Sequence, residues 1–178
     1  MRKFAIPLAA ALIFIVESVF VSIFSGNLFN SDWIVVPRFI MIFLVFFAVY
    51  GKYWPALWYG MVLGLVYDIT YTEILGIYLF MYPIVTYMIS KTMKILQNNL
   101  LIVSIMSLFS IVMLEFIVYG FNLILGFTDF TVQEFLAIRL LPTLLLNAIV
   151  LLVAAYPLKQ LFLKNATEDS GGDTLFMK

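Results

Sequence analysis

Long apolar runs broken by short polar stretches set the pattern of this chain. The runs lie at about 4–24, 33–50, 53–69, 72–90, 100–126 and 135–157. Between them fall Ser25-Gly26-Asn27, Gly51-Lys52, the stretch from Asp68 to Glu73, Gln97-Asn98-Asn99 and the stretch from Gly126 to Thr131. A bilayer core takes about 20 apolar residues per helix, so the pattern predicts an all-α membrane protein, a bundle of six transmembrane helices. The second and third spans are short, and Trp54-Pro55 leaves almost no loop between them. Nothing repeats at a period of 20–50 residues. Residues 1–160 therefore read as one transmembrane domain. Residues 161–178, polar and Gly-rich from Asn165 onward, read as a disordered tail. The start, Met1-Arg2-Lys3 before an apolar run from Phe4 to Val16, has the look of a signal peptide. Glu17 interrupts that run and no small-x-small cleavage site follows, so an uncleaved first helix is expected.

Composition strengthens the membrane reading. Of 178 residues, 65% are hydrophobic and 11% charged, against about 45–50% and about 25% in ordinary soluble domains. Formal net charge is zero, which gives no reason to expect a nucleic-acid partner; the placement of charge along the chain is what informs. With six spans both ends share one side, and that side collects Arg2, Lys3, Lys52, Lys91, Lys94, Lys159, Lys164 and Lys178, leaving only Arg38 and Arg139 for the other. Basic residues favour the cytoplasmic face, so both termini are expected in the cytoplasm. The chain has no Cys and no His. Disulfides, thiolate sites, Ser-His dyads and His-bearing zinc motifs are thereby excluded. Carboxylates could do acid–base work, but no nucleophile motif accompanies them, so no enzyme, metal or cofactor is expected.

Charges inside the spans carry the candidate chemistry. Glu17, Arg38, Glu115 and Arg139 fall within apolar runs, where a charge costs about 2.5–3.5 kcal/mol on insertion scales and needs a partner or water. At a rise of about 1.5 Å per residue, Glu17, Arg38, Asp68 and Glu115 come out roughly 21–24 Å from the cytoplasmic ends of their helices, and Arg139 roughly 30 Å. Three acids and two bases thus collect in the outer half. Ser104, Glu115 and Asn122 lie within about 20° of one line on the fifth helix. On the sixth, Arg139, Thr143 and Asn147 form one stripe that Pro142 can kink. A buried polar network of Glu17, Arg38, Glu115, Arg139 and Asn147 is expected. Three roles stay open for it: a structural ion-pair layer, a substrate or proton path, and a docking surface.

The stretch GLVYDITYTEILGIY, 64–78, combines turn and cap signals. Thr70 to Glu73 fits a capping box for a helix starting at Ile74, and Thr131 to Glu134 repeats the pattern before the last helix. Gly60 and Gly64 make a small-residue face on the third helix. With Asp68 and Gly76 they are expected to form a partner face or to hold the hairpin between the third and fourth helices.

Particular strings point further: Glu17-Ser18, PRF (37–39), YG (59–60), GLVYDITYTEILGIY (64–78), LEF (114–116) and RLLPTLLLN (139–147). Over residues 1 to about 160 the chain resembles the rod shape-determining MreD family. The resemblance implies a multi-pass protein of the bacterial cytoplasmic (inner) membrane, a non-catalytic scaffold of the cell-elongation machinery that helps organise lateral peptidoglycan synthesis. It implies a single-span MreC-like partner, links to the actin-like MreB cytoskeleton and to peptidoglycan synthases, and leaves a homodimer open. It also implies a fold similar to the substrate-binding subunits of energy-coupling-factor transporters. A small-molecule-binding transporter subunit is accordingly the alternative function.

Overall fold

A central helix, wrapped on every side, organises the molecule. The structure is a computed structural model that describes residues 4–24, 33–72, 74–96 and 98–172, with side chains at 4–23, 33–72, 74–96 and 98–165. The expected turn at Ser25-Gly26-Asn27, the Glu73 cap and the charges of Arg2, Lys3 and Lys178 lie outside the described residues. The elements are α1 (Ala5–Phe24), α2 (Phe39–Tyr50), α3 (Tyr53–Tyr71), α4 (Ile77–Met93) and α5 (Leu100–Ile124). A final rod follows, made of a short turn α6 (Val132–Glu134), a π-helical segment (Phe135–Leu140) and α7 (Leu141–Gly172). No strand occurs among the described residues.

Helix α2, FIMIFLVFFAVY, is apolar all round, and such a helix must be buried on all faces. Every residue from Phe39 to Ala48, and Tyr50, is buried. Helices α1, α3, α4, α5 and α7 all pack on it. On its lower half Phe47 stacks on Phe162 of α7 with centroids 4.8 Å apart. Twelve residues give α2 a length of only about 18 Å, short of a hydrocarbon core of about 30 Å. Residues 33–38, expected to be helical, form neither helix nor strand. The physical reason is local: Pro37 drives Val36 out of the helical region.

Three helices are long and apolar enough to cross a membrane: Ala5–Ile23, Leu100–Ile124 and Val132–Asn165. Other boundaries move modestly from expectation. The third helix continues to Tyr71 and the fourth starts at Ile77. The last span begins at Val132 and continues as helix to Gly172, well into the stretch expected to be a disordered tail. Nothing between Leu161 and Ser170 breaks a helix, and Asn165 folds its amide back to the Leu161 carbonyl at 2.7 Å.

Helices α3 and α4 form the closest pair. A Cβ on Gly60 would lie 3.2 Å from Pro83 N, and one on Gly64 would overlap the Tyr78 carbonyl and stand 2.9 Å from the Leu79 Cα. The small-residue face is therefore filled by α4 of the same chain and is not open to a partner. Gly120, in contrast, has nothing within 4 Å of such a Cβ. We expect Gly64→Ala to destabilise by about 1–3 kcal/mol, because backbone cannot give way as a side-chain tip can. Gly120→Ala should be neutral or stabilising by up to about 1 kcal/mol, since alanine is the better helix former. Thermal unfolding of the two detergent-purified variants checks this; equal effects would contradict the packing.

Candidate functional site

The site begins with a missing hydrogen bond. Pro142 has no N–H, so the carbonyl of Ile138 loses its ordinary helical partner. The adjacent Phe135–Leu140 segment is π-helical, as befits a place where the ladder is disturbed. Ile34 N–H donates to that Ile138 carbonyl at 2.9 Å. Two residues on, Val36 N–H donates to Thr143 Oγ1 at 3.1 Å. Two further, Arg38 N–H donates to Asn147 Oδ1 at 2.8 Å, while Asn147 Nδ2 donates to the Val36 carbonyl at 3.0 Å. The period of two along this segment thus meets the i, i+4 spacing of Thr143 and Asn147 on α7. Pro37, which has no N–H, needs nothing.

This docking delivers the Arg38 side chain to the centre of the bundle, where it is fully buried. Its Nε donates to Glu115 Oε1 at 2.6 Å, and Nη2 pairs with the same oxygen at 2.6 Å. Nη1 donates to the Tyr67 hydroxyl at 3.1 Å and Nη2 to the Tyr78 hydroxyl at 2.8 Å. The guanidinium carbon lies 5.5 Å and 5.0 Å from the centroids of those two rings, within cation–π range. Glu115, also buried, gives its other oxygen to Arg139, whose Nε donates at 2.9 Å. One carboxylate therefore bridges two arginines from the start of α2 and the π-helical segment.

Glu17 stands apart from this triad. Its Oε2 accepts from Ile40 N–H at 2.8 Å, so it serves the first turn of α2, where backbone N–H groups lack helical partners and a negative charge is favoured. Its Oε1 makes no hydrogen bond among the described residues. The expected network therefore divides into Arg38, Glu115 and Arg139 in direct contact, Asn147 bound to the Arg38 backbone, and Glu17 at the next residues along. Nearby, the Tyr71 hydroxyl donates to Ser18, joining α3 to α1.

Asp68 performs the matching task at the α3–α4 hairpin. Its carboxylate accepts from Gly76 N–H at 2.9 Å, Tyr78 N–H at 3.0 Å and Leu79 N–H at 2.9 Å. Gly76, at φ 115°, takes the left-handed turn that brings these donors round. Thr70, expected to open the next helix with Glu73, sits inside α3 and donates to the Val66 carbonyl at 2.7 Å. Asp68 caps α4 through space instead. The second expected box is present, with Thr131 N–H donating to Glu134 at 2.8 Å and Glu134 N–H to Thr131 at 3.3 Å. Tyr67 and Tyr78 were not singled out by the sequence; their only signal is a place flanking Asp68 and Gly76. Ser104, on the same helical line as Glu115, bonds its own helix at the Leu100 carbonyl.

Long apolar helices around a sealed ion-pair core define a multi-pass helical membrane protein in which charge braces the fold. The family model for the rod shape-determining protein MreD matches residues 2–165. The chain is 31% identical over 163 residues to the rod shape-determining protein MreD of Bacillus subtilis (strain 168), covering 92% of this chain and 95% of that one. The chain belongs to the MreD family, with a role in rod-shape determination, and is a multi-pass protein of the bacterial inner membrane. No solved structure matches it significantly.

Removing one member of a buried pair leaves its partner stranded, at a cost of about 3–5 kcal/mol. We expect Arg38→Met and Glu115→Leu each to lower stability on that scale. The double variant should lose less than the sum, by more than about 1 kcal/mol, as coupled contacts do. Strictly additive shifts in unfolding temperature would contradict direct pairing.

Proposed function

We propose that the chain is a non-catalytic scaffold with six membrane spans and both termini in the cytoplasm, binding a single-span MreC-like partner and through it the MreB cytoskeleton and peptidoglycan synthases. The observation that carries this reading is the use made of the buried charge. Arg38 and Glu115 are sealed from solvent and spend their hydrogen bonds on each other, on two tyrosines and on Arg139. Such an arrangement fixes the relative placement of α2, α3, α4, α5 and the last rod. A rigid outer surface is what a scaffold offers its partners. The expected likeness to energy-coupling-factor binding subunits rests on the family resemblance alone.

The orientation is supported by a lysine belt. Lys91 lies 5.3 Å from the Tyr87 ring, Lys94 5.9 Å from Tyr53 and Lys159 5.4 Å from Tyr50. These rings gather where α2 ends, α3 begins and α4 ends, with Lys52 in the same connection. Basic side chains with interfacial aromatics at one end suit the cytoplasmic face.

Two measurements on cells test the reading. A fluorescent protein fused after Lys178 should fluoresce, and a phosphatase fused there should be inactive. Affinity capture of the tagged full chain should bring down the MreC-like protein encoded in the same cell. An active phosphatase would reverse the topology, and capture without that partner at normal expression would remove the scaffold reading.

A further inference from the structure

A recess lies between α1 and α7, with α2 as its floor, and has a volume of about 570 Å³. Leu12 and Val16 form the α1 wall, Phe39 and Ile42 the floor, and Val150, Ala154, Pro157 and Leu161 the α7 wall. Every described lining residue is apolar. Leu12 and Val16 are each about half exposed, so the recess opens outward, onto lipid in a spanning protein. Alanine and proline on α7, where leucine or phenylalanine would fill the space, keep it open.

Length decides what fits there. From Val150 to Leu161 the α7 wall extends about 16 Å, at about 1.5 Å per residue. A second helix crossing the membrane presents an apolar length of about 30 Å, the hydrocarbon thickness, whereas one leaflet offers about half of that. The recess matches the shorter of the two. It is one acyl chain long, not one span long, and its volume is that of a ligand pocket.

Charge marks one end of it. The α7 wall advances by four, three and four residues, which keeps to one face of the helix. Three residues beyond Leu161 the same row reaches Lys164, which is exposed. At this end Lys159 lies 5.4 Å from the Tyr50 ring, as part of the lysine belt. An ammonium just past the mouth of an apolar recess suits a negatively charged headgroup joined to a chain, since basic side chains at a membrane surface attract anionic lipid.

We propose that this recess seats one acyl chain of an anionic phospholipid from the cytoplasmic leaflet, with Lys164 meeting the headgroup. The seated chain fills the gap between α1 and α7 and ties both to α2. Only the choice of leaflet rests on cytoplasmic termini. A C-terminus on the outer side would move the site to the other leaflet without altering binding in detergent, so the two readings fail separately.

Native mass spectrometry of the full chain in detergent tests this, with dioleoyl phosphatidylglycerol as the probe and dioleoyl phosphatidylcholine for comparison. The parent should retain phosphatidylglycerol about fivefold more tightly, the effect of one lysine beside an anionic lipid. Lys164→Gln should remove that preference while both lipids still bind. Ala154→Phe should weaken both lipids about tenfold, as expelling about two methylenes from the recess would. Leu12→Trp narrows the recess from its exposed wall and should do the same, so the test stands even if Ala154→Phe folds poorly. Unchanged retention of both lipids in Leu12→Trp would overturn the proposal, and a preference that survives in Lys164→Gln would overturn the headgroup contact. Capture of the single-span partner lost in Leu12→Trp, with lipid retention unchanged, would make the recess a seat for a helix and also overturn it.

Discussion

Backbone that is not helical cannot stand unprotected in hydrocarbon. Each N–H and C=O must find a partner within the protein, because lipid offers none. Residues 33–38 have no helical ladder of their own, and the last helical rod takes up the N–H groups of Ile34, Val36 and Arg38 with one carbonyl freed by Pro142 and two polar side chains, Thr143 and Asn147. From that attachment follow the depth at which α2 begins, the position of the Arg38 side chain and the need for Glu115 opposite it. The ion pair is a consequence of where that segment ends.

The same logic recurs at the other buried helix starts. Asp68 collects three N–H groups at the beginning of α4, and Glu17 takes one at the beginning of α2. In each case the acceptor comes from a neighbouring helix, so capping a helix and joining two helices become one interaction. This accounts for acidic residues within apolar spans without assigning them chemistry. It also explains why the α3–α4 pair is so close: Gly64 lets the backbones approach until Asp68 can reach past Gly76.

Much of this was legible in the sequence, for reasons that differ between elements. Apolar length located the helices well wherever spans are lipid-facing on one side, as in α1 and α5. It misplaced residues 33–38, because Trp-Ile-Val-Val-Pro-Arg is as apolar as a helix and only Pro37 marks the break. The common depth of Arg38 and Glu115 and the stripe through Arg139, Thr143 and Asn147 put these side chains near one level. The division of labour was hidden, since depth cannot tell a carboxylate that pairs with a guanidinium from one that caps a helix. Tyr67 and Tyr78 escaped notice because tyrosine is an ordinary membrane-protein residue until its hydroxyl meets a buried donor. The spacing of Gly60 and Gly64 pointed to a close helix contact, but spacing alone could not say whether the neighbour was α4 or another chain.

The most direct test of this account is amide hydrogen exchange, followed by mass spectrometry, on the full chain in lipid nanodiscs. If residues 34–38 are held by the last rod, their exchange in the parent protein should be as slow as that of α2. Asn147→Val should speed exchange across that segment while α5 stays protected. Rapid exchange of residues 34–38 in the parent, or no change in the variant, would contradict the claim that this attachment positions the site.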